Sequence, residues 1–418
     1  MSFSTTGLAP ALLDALAAQD IFEPTAIQAA AVPVALQGAD LLASAPTGSG
    51  KTLAFGLPIL QQLAGMKRTG AGSASRSPHA LILAPTRELA GQIGEILQTL
   101  ARSLASPVKT VTAFGGVSIN PQMMALRGGA DIVVATPGRL LDLVAHNALR
   151  LDALRVLVLD EADRLLDAGF AEELQRVIAL LPARRQNLLF SATLPPAVQA
   201  LADQILQSPV RIAEAADVPQ IEQHVITVDA PARTALLQHL IREEQWQDIL
   251  VFVATRHACD MLADKLTRRG IPAAALHGDL SQGARTAALD AFREGRLQVL
   301  VATDVAARGL DIAGLQVVIN YDLPRAAPDY AHRIGRTGRA GEAGLAISFV
   351  SADTEAHFRL IEKRCGIRLE REFIEGFEPR ETPRPGAGTG GIKGKRKSRK
   401  DKQREAAAAA NPEASGED

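Results

Sequence analysis

Aromatic residues are scarce, with Phe, Trp and Tyr making up 4% of the 418 residues, a single tryptophan among them. Single-strand binders that grip nucleic acid by stacking base after base on rings use more, so stacking is not the main mode of contact open to this chain. Cysteine is nearly absent too. Cys259 and Cys365 lie far apart without metal-type spacing, which argues against a zinc site and fits a reducing compartment. No run approaches the ~18 apolar residues of a membrane span, and the amino end lacks a basic-then-apolar signal pattern. The expectation is a soluble, cytoplasmic protein with no membrane partner. Net charge is also close to nil, at -1. It is unevenly placed: residues 380–418 carry ten Lys/Arg against six Asp/Glu, a net +4, leaving -5 for the remainder.

What is present centres on residues 156–163, Val-Leu-Val-Leu-Asp-Glu-Ala-Asp. The apolar run suits a strand buried on both faces in a parallel sheet, and the carboxylates fall at its carboxyl end, where open α/β sheets bind ligands. Adjacent Asp160 and Glu161 suit a metal ion and an activated water. Taken alone, the same run equally fits a strand entering an acidic helix start.

A second stretch shifts that balance. Residues 45–52, Ala-Pro-Thr-Gly-Ser-Gly-Lys-Thr, follow an apolar run and precede a helical pattern. Here Thr47, Gly48, Ser49 and Gly50 can turn backbone N–H groups around phosphate oxygens, Lys51 adds a point charge, and Thr52 offers a hydroxyl to Mg2+. The strict phosphate-loop pattern has glycine where this chain has Ala45.

The chain also echoes itself. Residues 80–87 match 249–256, residues 112–116 match 274–278, and residues 131–136 match 298–303, in the same order both times. Strands alternating with helical stretches indicate βαβ units. The expectation is therefore two α/β domains of similar build: residues 1–208, a short linker at 209–222 with Pro209 and Pro219, and residues 223–377. A short tether favours a site shared between domains. From 378 the composition turns to Pro and Gly, then to eight Lys/Arg and one acid over residues 393–404, and reads as a disordered basic C-terminal tail.

Nine motifs fall on strand ends and loops: residues 24–28 (Pro-Thr-Ala-Ile-Gln), the phosphate loop, 85–90 (Pro-Thr-Arg-Glu-Leu-Ala), Gly115-Gly116, 136–139 (Thr-Pro-Gly-Arg), 160–163, 191–193 (Ser-Ala-Thr), 307–311 (Ala-Arg-Gly-Leu-Asp) and 332–339 (His-Arg-Ile-Gly-Arg-Thr-Gly-Arg). In this order and spacing the chain resembles the DEAD-box RNA helicases over residues 3 to 370. Its opening and short basic tail look most like the bacterial RhlE-type branch. The resemblance implies two tandem RecA-like domains, each a mostly parallel sheet flanked by helices.

It also implies roles. Gln28 would pair with the adenine edge and Phe3 would stack on the base. Lys51 and Thr52 would hold phosphate and Mg2+, Asp160 would hold Mg2+ largely through water, and Glu161 would orient the attacking water. Asp163 would link to Ser191 or Thr193. From the second domain, Arg336 and Arg339 would reach the γ-phosphate, Gly309 and Asp311 would lie near the ribose, and His332 would couple the sites. RNA would cross Pro85, Thr86, Arg87, Gly115, Gly116, Thr136 and Arg139, then Thr255, Arg256, His277, Gly278 and Thr303, as single strand or short duplex with little sequence preference. Pre-ribosomal particles or a decay machine are the partners such a protein suggests. The chain departs from the family at Pro46, where many members have Gln, and at Asp20 and Ile21, where Gly and an aromatic are usual; Phe22, one place later, reads as an ordinary core aromatic. Two other classes fit the same core: an ATPase acting on DNA or proteins, and an ATP-gated RNA clamp.

Overall fold

The computed structural model describes residues 2–46, 48–66, 77–167, 169–213, 221–307, 315–338 and 344–382. Two seven-stranded sheets organise it. The first contains β1 (Leu41–Ser44), β2 (Ala80–Leu83), β3 (Thr110–Ala113), β4 (Ile132–Ala135), β5 (Val156–Leu159), β6 (Gln186–Ser191) and β7 (Val210–Ala213). The second contains β8 (Ile221–Thr227), β9 (Ile249–Phe252), β10 (Ala273–Leu276), β11 (Val299–Ala302), β12 (Val317–Asn320), β13 (Gly344–Val350) and β14 (Arg371–Glu372).

The strand orders are β3-β4-β2-β5-β6-β1-β7 and β10-β11-β9-β12-β13-β8-β14. Every pairing is parallel. Counted from its own first strand, the second sheet repeats the first position for position. The three sequence echoes are the pairs β2/β9, β3/β10 and β4/β11, so the tandem RecA-like reading holds. Local chemistry explains the elements. Central strands such as Val156–Leu159 are buried at every position because helices cover both faces. Alternate side chains feed two cores: Leu41 and Ala43 enter one and Leu42 the other. The covering helices are amphipathic, as in Arg87–Ala101, which buries Ala90, Ile93, Gly94, Leu97 and Leu100.

The segment read as a linker, 209–222, opens on β7, whose Val210 pairs with Leu41, and closes on the first residues of β8. Residues 210–213 are a largely exposed edge strand, and edge strands carry no long apolar run to announce them. Of the segment read as a tail, residues 378–382 are described, and the amides of Arg380 and Glu381 donate to the Asp229 carboxylate at 2.8 and 3.2 Å; the basic run 393–404 lies outside the described residues. No helix among the described residues is long and apolar enough to cross a membrane.

Candidate functional site

The phosphate loop joins β1 to the helix Lys51–Gly65. Gly48 and Gly50 take φ of 84° and 89°, left-handed conformations that only glycine adopts cheaply. Gly50 has no room for more: a Cβ there would lie 2.2 Å from Gln28 Nε2. The loop's helix is 15 residues long and directs its free N–H groups at the loop mouth. Lys51 is buried, and its Nζ donates to the carbonyls of Ala45 and Pro46 at 2.9 and 3.2 Å. Those two bonds hold the ammonium inside the ring that phosphate oxygens would fill. Pro46 lacks an N–H but contributes its carbonyl, which also accepts from Ser49 Oγ at 2.8 Å. Thr47 lies outside the described residues.

Gln28 is wired into this loop. Its Oε1 accepts from the Thr25 amide at 3.0 Å and its Nε2 donates to Gly50 O at 3.0 Å, while Thr25 Oγ1 donates to Ser49 O at 2.7 Å. One amide hydrogen and one lone pair are left for a base. Sequence reading assigned Gln28 to the base alone and missed this tie. The two phenylalanines reverse their expected places. Phe3 is 3% exposed inside the first core, whereas Phe22, expected in the core, is 63% exposed. The turn explains the exchange, because Asp20 takes φ 57° and ends the helix before the chain reaches Phe22.

At the end of β5, Asp160 and Glu161 are buried to 3% and 8% exposure. Asp160 Oδ1 accepts from the Glu161 amide at 2.9 Å. Burial pushes the Asp160 carboxyl up to about 7, against the pull of the Lys51 charge and with the help of Glu161 and Asp163. Glu161 sits at φ 50°, a strained backbone of the kind concentrated at working sites. Asp163 Oδ2 accepts from Thr193 Oγ1 at 2.7 Å and Thr193 N at 3.1 Å; Ser191 Oγ accepts from the Asp163 amide at 3.2 Å. The acidic turn and residues 191–193 are therefore bonded directly to each other. Among the described residues no group of three or more His, Cys, Asp or Glu could hold a metal. Asp160, the carboxylate that feels the Lys51 charge of the phosphate loop, instead suits Mg2+, which keeps waters and borrows oxygens from a phosphate ligand.

The second domain meets this turn with a mixed wall of two carboxylates, two guanidiniums and an imidazole. Glu161, Asp163 and Ala192 line a cleft with Asp304, His332, Arg333 and Arg336. His332 Nδ1 is buried there with no hydrogen-bond partner. Arg333 is different in kind: its guanidinium is bound to Asp304 at 2.6 and 2.8 Å, to Asn320 Oδ1 at 3.0 Å and to Asp322 O at 2.6 Å, and it lies 4.8 Å over the Phe252 ring. It ties the helix Ala327–Ile334 to β12, to residue 304 and to the Phe252 ring inside the second domain. Gly309, Asp311 and Arg339 lie outside the described residues. A further tie, between Arg285 and Glu88 of the other domain, had no sequence signal beyond the place of Glu88 within the 85–90 motif.

The residues expected to meet RNA all follow strand carboxyl ends, on β2, β3, β4 and their counterparts β9, β10, β11. The structure sorts them by depth. Gly116, Thr255, Arg256 and Gly278 are exposed, and Thr86, Arg87 and Gly115 half-exposed; Pro85, Thr136, Arg139, His277 and Thr303 are buried. Thr86 and Thr255 have a structural duty that sequence reading did not assign, capping their helices by accepting from Leu89 N at 3.2 Å and Ala258 N at 3.1 Å. Arg87 packs on Gly116, where a Cβ would come within 2.3 Å of its Nη1. Arg139 donates to Val117 O at 2.7 Å, its Nε lies 3.8 Å from Asp142 Oδ2, and Nε and Nη1 are buried without a hydrogen-bond partner. His277 Nε2 meets Asp260 Oδ1 at 2.9 Å, and Arg256 pairs with Asp279.

Two RecA-like domains of identical strand order, with a phosphate loop on one and His332 and Arg336 of the other facing its acidic strand end, define a two-domain nucleotide-binding protein. Residues 25–201 match the DEAD/DEAH box helicase family and residues 232–341 the helicase conserved C-terminal domain. The chain is 39% identical over 373 residues to the DEAD-box ATP-dependent RNA helicase CshA of Bacillus cereus, covering 88% of this chain and 69% of that one. It is 42% identical over 366 residues to DEAD-box ATP-dependent RNA helicase 14 of Arabidopsis thaliana, covering 85% and 58%. Among solved structures it resembles S. cerevisiae Dbp5 bound to RNA and ADP BeF3, with TM-score 0.76, 34% identity and coverage of 89% and 95%. The chain belongs to the DEAD-box ATP-dependent RNA helicase family and is an enzyme of that class.

Proposed function

We propose that the protein hydrolyses ATP when RNA draws its two domains together, and that closure bends one strand and separates short duplexes without long translocation. The observation that carries this is the cleft in which Glu161 and Asp163 of one domain face His332 and Arg336 of the other. Phosphoryl transfer needs charge neutralised on the moving group and a water aimed at it. In this reading Lys51 and the loop amides of residues 48–52 hold phosphate, and Gln28 reads adenine with its remaining donor and acceptor. Glu161 aims the water. Arg336 and Arg339 supply positive charge at the γ-phosphate, Gly309 and Asp311 lie near the ribose, and Asp163, Ser191, Thr193 and His332 link the nucleotide to the RNA face. Mg2+ would be held by Thr52 and, through water, by Asp160; when bound it supplies charge to the phosphates.

RNA binding falls to the strand-end residues of both sheets, through backbone and sugar contacts and not base edges. The solved relative Dbp5, bound to RNA and ADP BeF3, supports both ligands. The division at 1–208, 209–222 and 223–377, the RhlE-type assignment, a cytoplasmic role with pre-ribosomal or decay partners, and phosphate-backbone affinity in residues 393–404 belong to the same reading.

The test is steady-state ATP hydrolysis with no nucleic acid, with single-stranded RNA, and with single-stranded DNA of equal length, against Glu161→Gln. Stimulation by RNA alone, lost in the variant, is expected. Equal stimulation by DNA, or none by RNA, would move a DNA-acting, remodelling or clamp function to the front.

A further inference from the structure

Arg164 and Asp329 stand outside every motif read from the sequence, yet they meet across the cleft. Arg164 lies in the helix Ala162–Asp167, and its amide donates to Glu161 O at 2.8 Å and Asp163 Oδ1 at 3.1 Å. Its backbone is thus fastened to two of the three carboxylate residues of the acidic turn. Asp329 lies in the first turn of the helix Ala327–Ile334, three residues before His332 and on the same helical face. The guanidinium Nη1 reaches Asp329 Oδ1 at 3.1 Å, with the two side chains 9% and 18% exposed.

We infer that Arg164 is a positioning residue for closure, gripping Asp329 so that the acidic turn and the helix bearing His332 meet in register. The inference rests on the closure reading above. The physical reason is that this ion pair is conditional. Arg333 and Asp304 belong to one domain and stay paired whatever the domains do, whereas Arg164 and Asp329 find each other only when the domains meet. A charge pair sheltered from water is strongly coupled, and losing one partner strands the other in a poorly solvated place. Removing either partner would leave the other buried and unpaired when the domains meet, so its loss disfavours the closed arrangement, one helical turn from the chemistry. A guanidinium suits the task because its planar fork holds a carboxylate in a set orientation, which an ammonium does not.

The experiment places a donor dye on one domain of the full chain and an acceptor on the other, and follows energy transfer with single-stranded RNA and a non-hydrolysable ATP analogue. Wild type closes. Arg164→Ala and Asp329→Asn lower the closed population and raise the RNA concentration for half-maximal ATP turnover, by a factor within the range of about 5 to 150 typical of coupled sites. Nucleotide affinity without RNA stays at the wild-type value. The exchanged pair Arg164→Asp with Asp329→Arg recovers closure, a rescue that a merely structural role would not show. Asp329→Asn keeps the side chain's shape, so the test stands if Arg164→Ala fails to fold. Closure at wild-type level in either single variant, or an exchanged pair no better than the singles, overturns the role of Arg164. A wild type that never closes overturns the closure reading itself, and the two failures are told apart by which protein shows them.

Discussion

At the residue scale, the two phenylalanines show how a side chain's duty depends on where the turn before it ends. Phe3 was expected against a base and Phe22 in a core; they are 3% and 63% exposed respectively. Phe3→Ala should cost about 3 to 5 kcal/mol of stability in denaturant melts, the range for emptying a packed aromatic site. Phe22→Ala should change stability by no more than about 0.5 kcal/mol. Gly116 makes a sharper case. With φ 78° and the Arg87 guanidinium where a Cβ would go, Gly116→Ala should cost about 1 to 2 kcal/mol from its left-handed backbone alone and displace Arg87. RNA affinity measured by fluorescence anisotropy should fall while ATP affinity holds. The motif marked Gly116 for the RNA face, but its spacing could not show that the residue in its way was Arg87.

At the scale of elements, the shared caps and the last strand are the informative pieces. Thr86 and Thr255 cap equivalent helices after β2 and β9, so the Thr-Arg echo in the sequence is first a helix-start signal. A Thr→Ala change at either should cost about 1 kcal/mol by thermal unfolding, apart from any loss in RNA binding. β14 is held to β8 by His224, whose ring reaches Glu372 at 2.7 Å and Glu222 at 3.0 Å. Burial works against the charge on His224, yet the two carboxylates outweigh it and raise its pKa above 6.5. A raised histidine contributes stability that is fully present below 6.5 and lost as pH rises through the folded value. Hydrogen exchange at residues 371–372 should therefore quicken as pH climbs above 6.5, beyond the intrinsic rate change, and Glu372→Gln should remove most of that pH dependence. Its exposure of 31% keeps the effect modest.

At the scale of the whole molecule, the cleft is lined from both sheets' domains, and the basic run at 393–404 lies outside the described residues. Removing residues 383–418 should weaken RNA binding at low salt and flatten the fall of log affinity with log salt, since each phosphate contact to a single strand adds about 0.7 to that slope; an unchanged slope would leave the run without that role. The sequence by itself determined the two-fold architecture, because apolar strand runs repeat in order at β2/β9, β3/β10 and β4/β11, and period and order are properties of the chain. It also located the phosphate loop and the acidic strand end, which are contiguous and carry their chemistry in neighbouring residues. Tertiary structure alone decided the rest. Gln28 bonds to Gly50, Arg164 to Asp329 and Arg333 to Asp304 over separations of 22, 165 and 29 residues. Such pairings follow from strand order and domain docking, which place residues side by side without leaving a local pattern. Depth was decided there too, since Gly116 and Arg139 both stand in motifs read for the RNA face, and only the packing around them exposes one and buries the other.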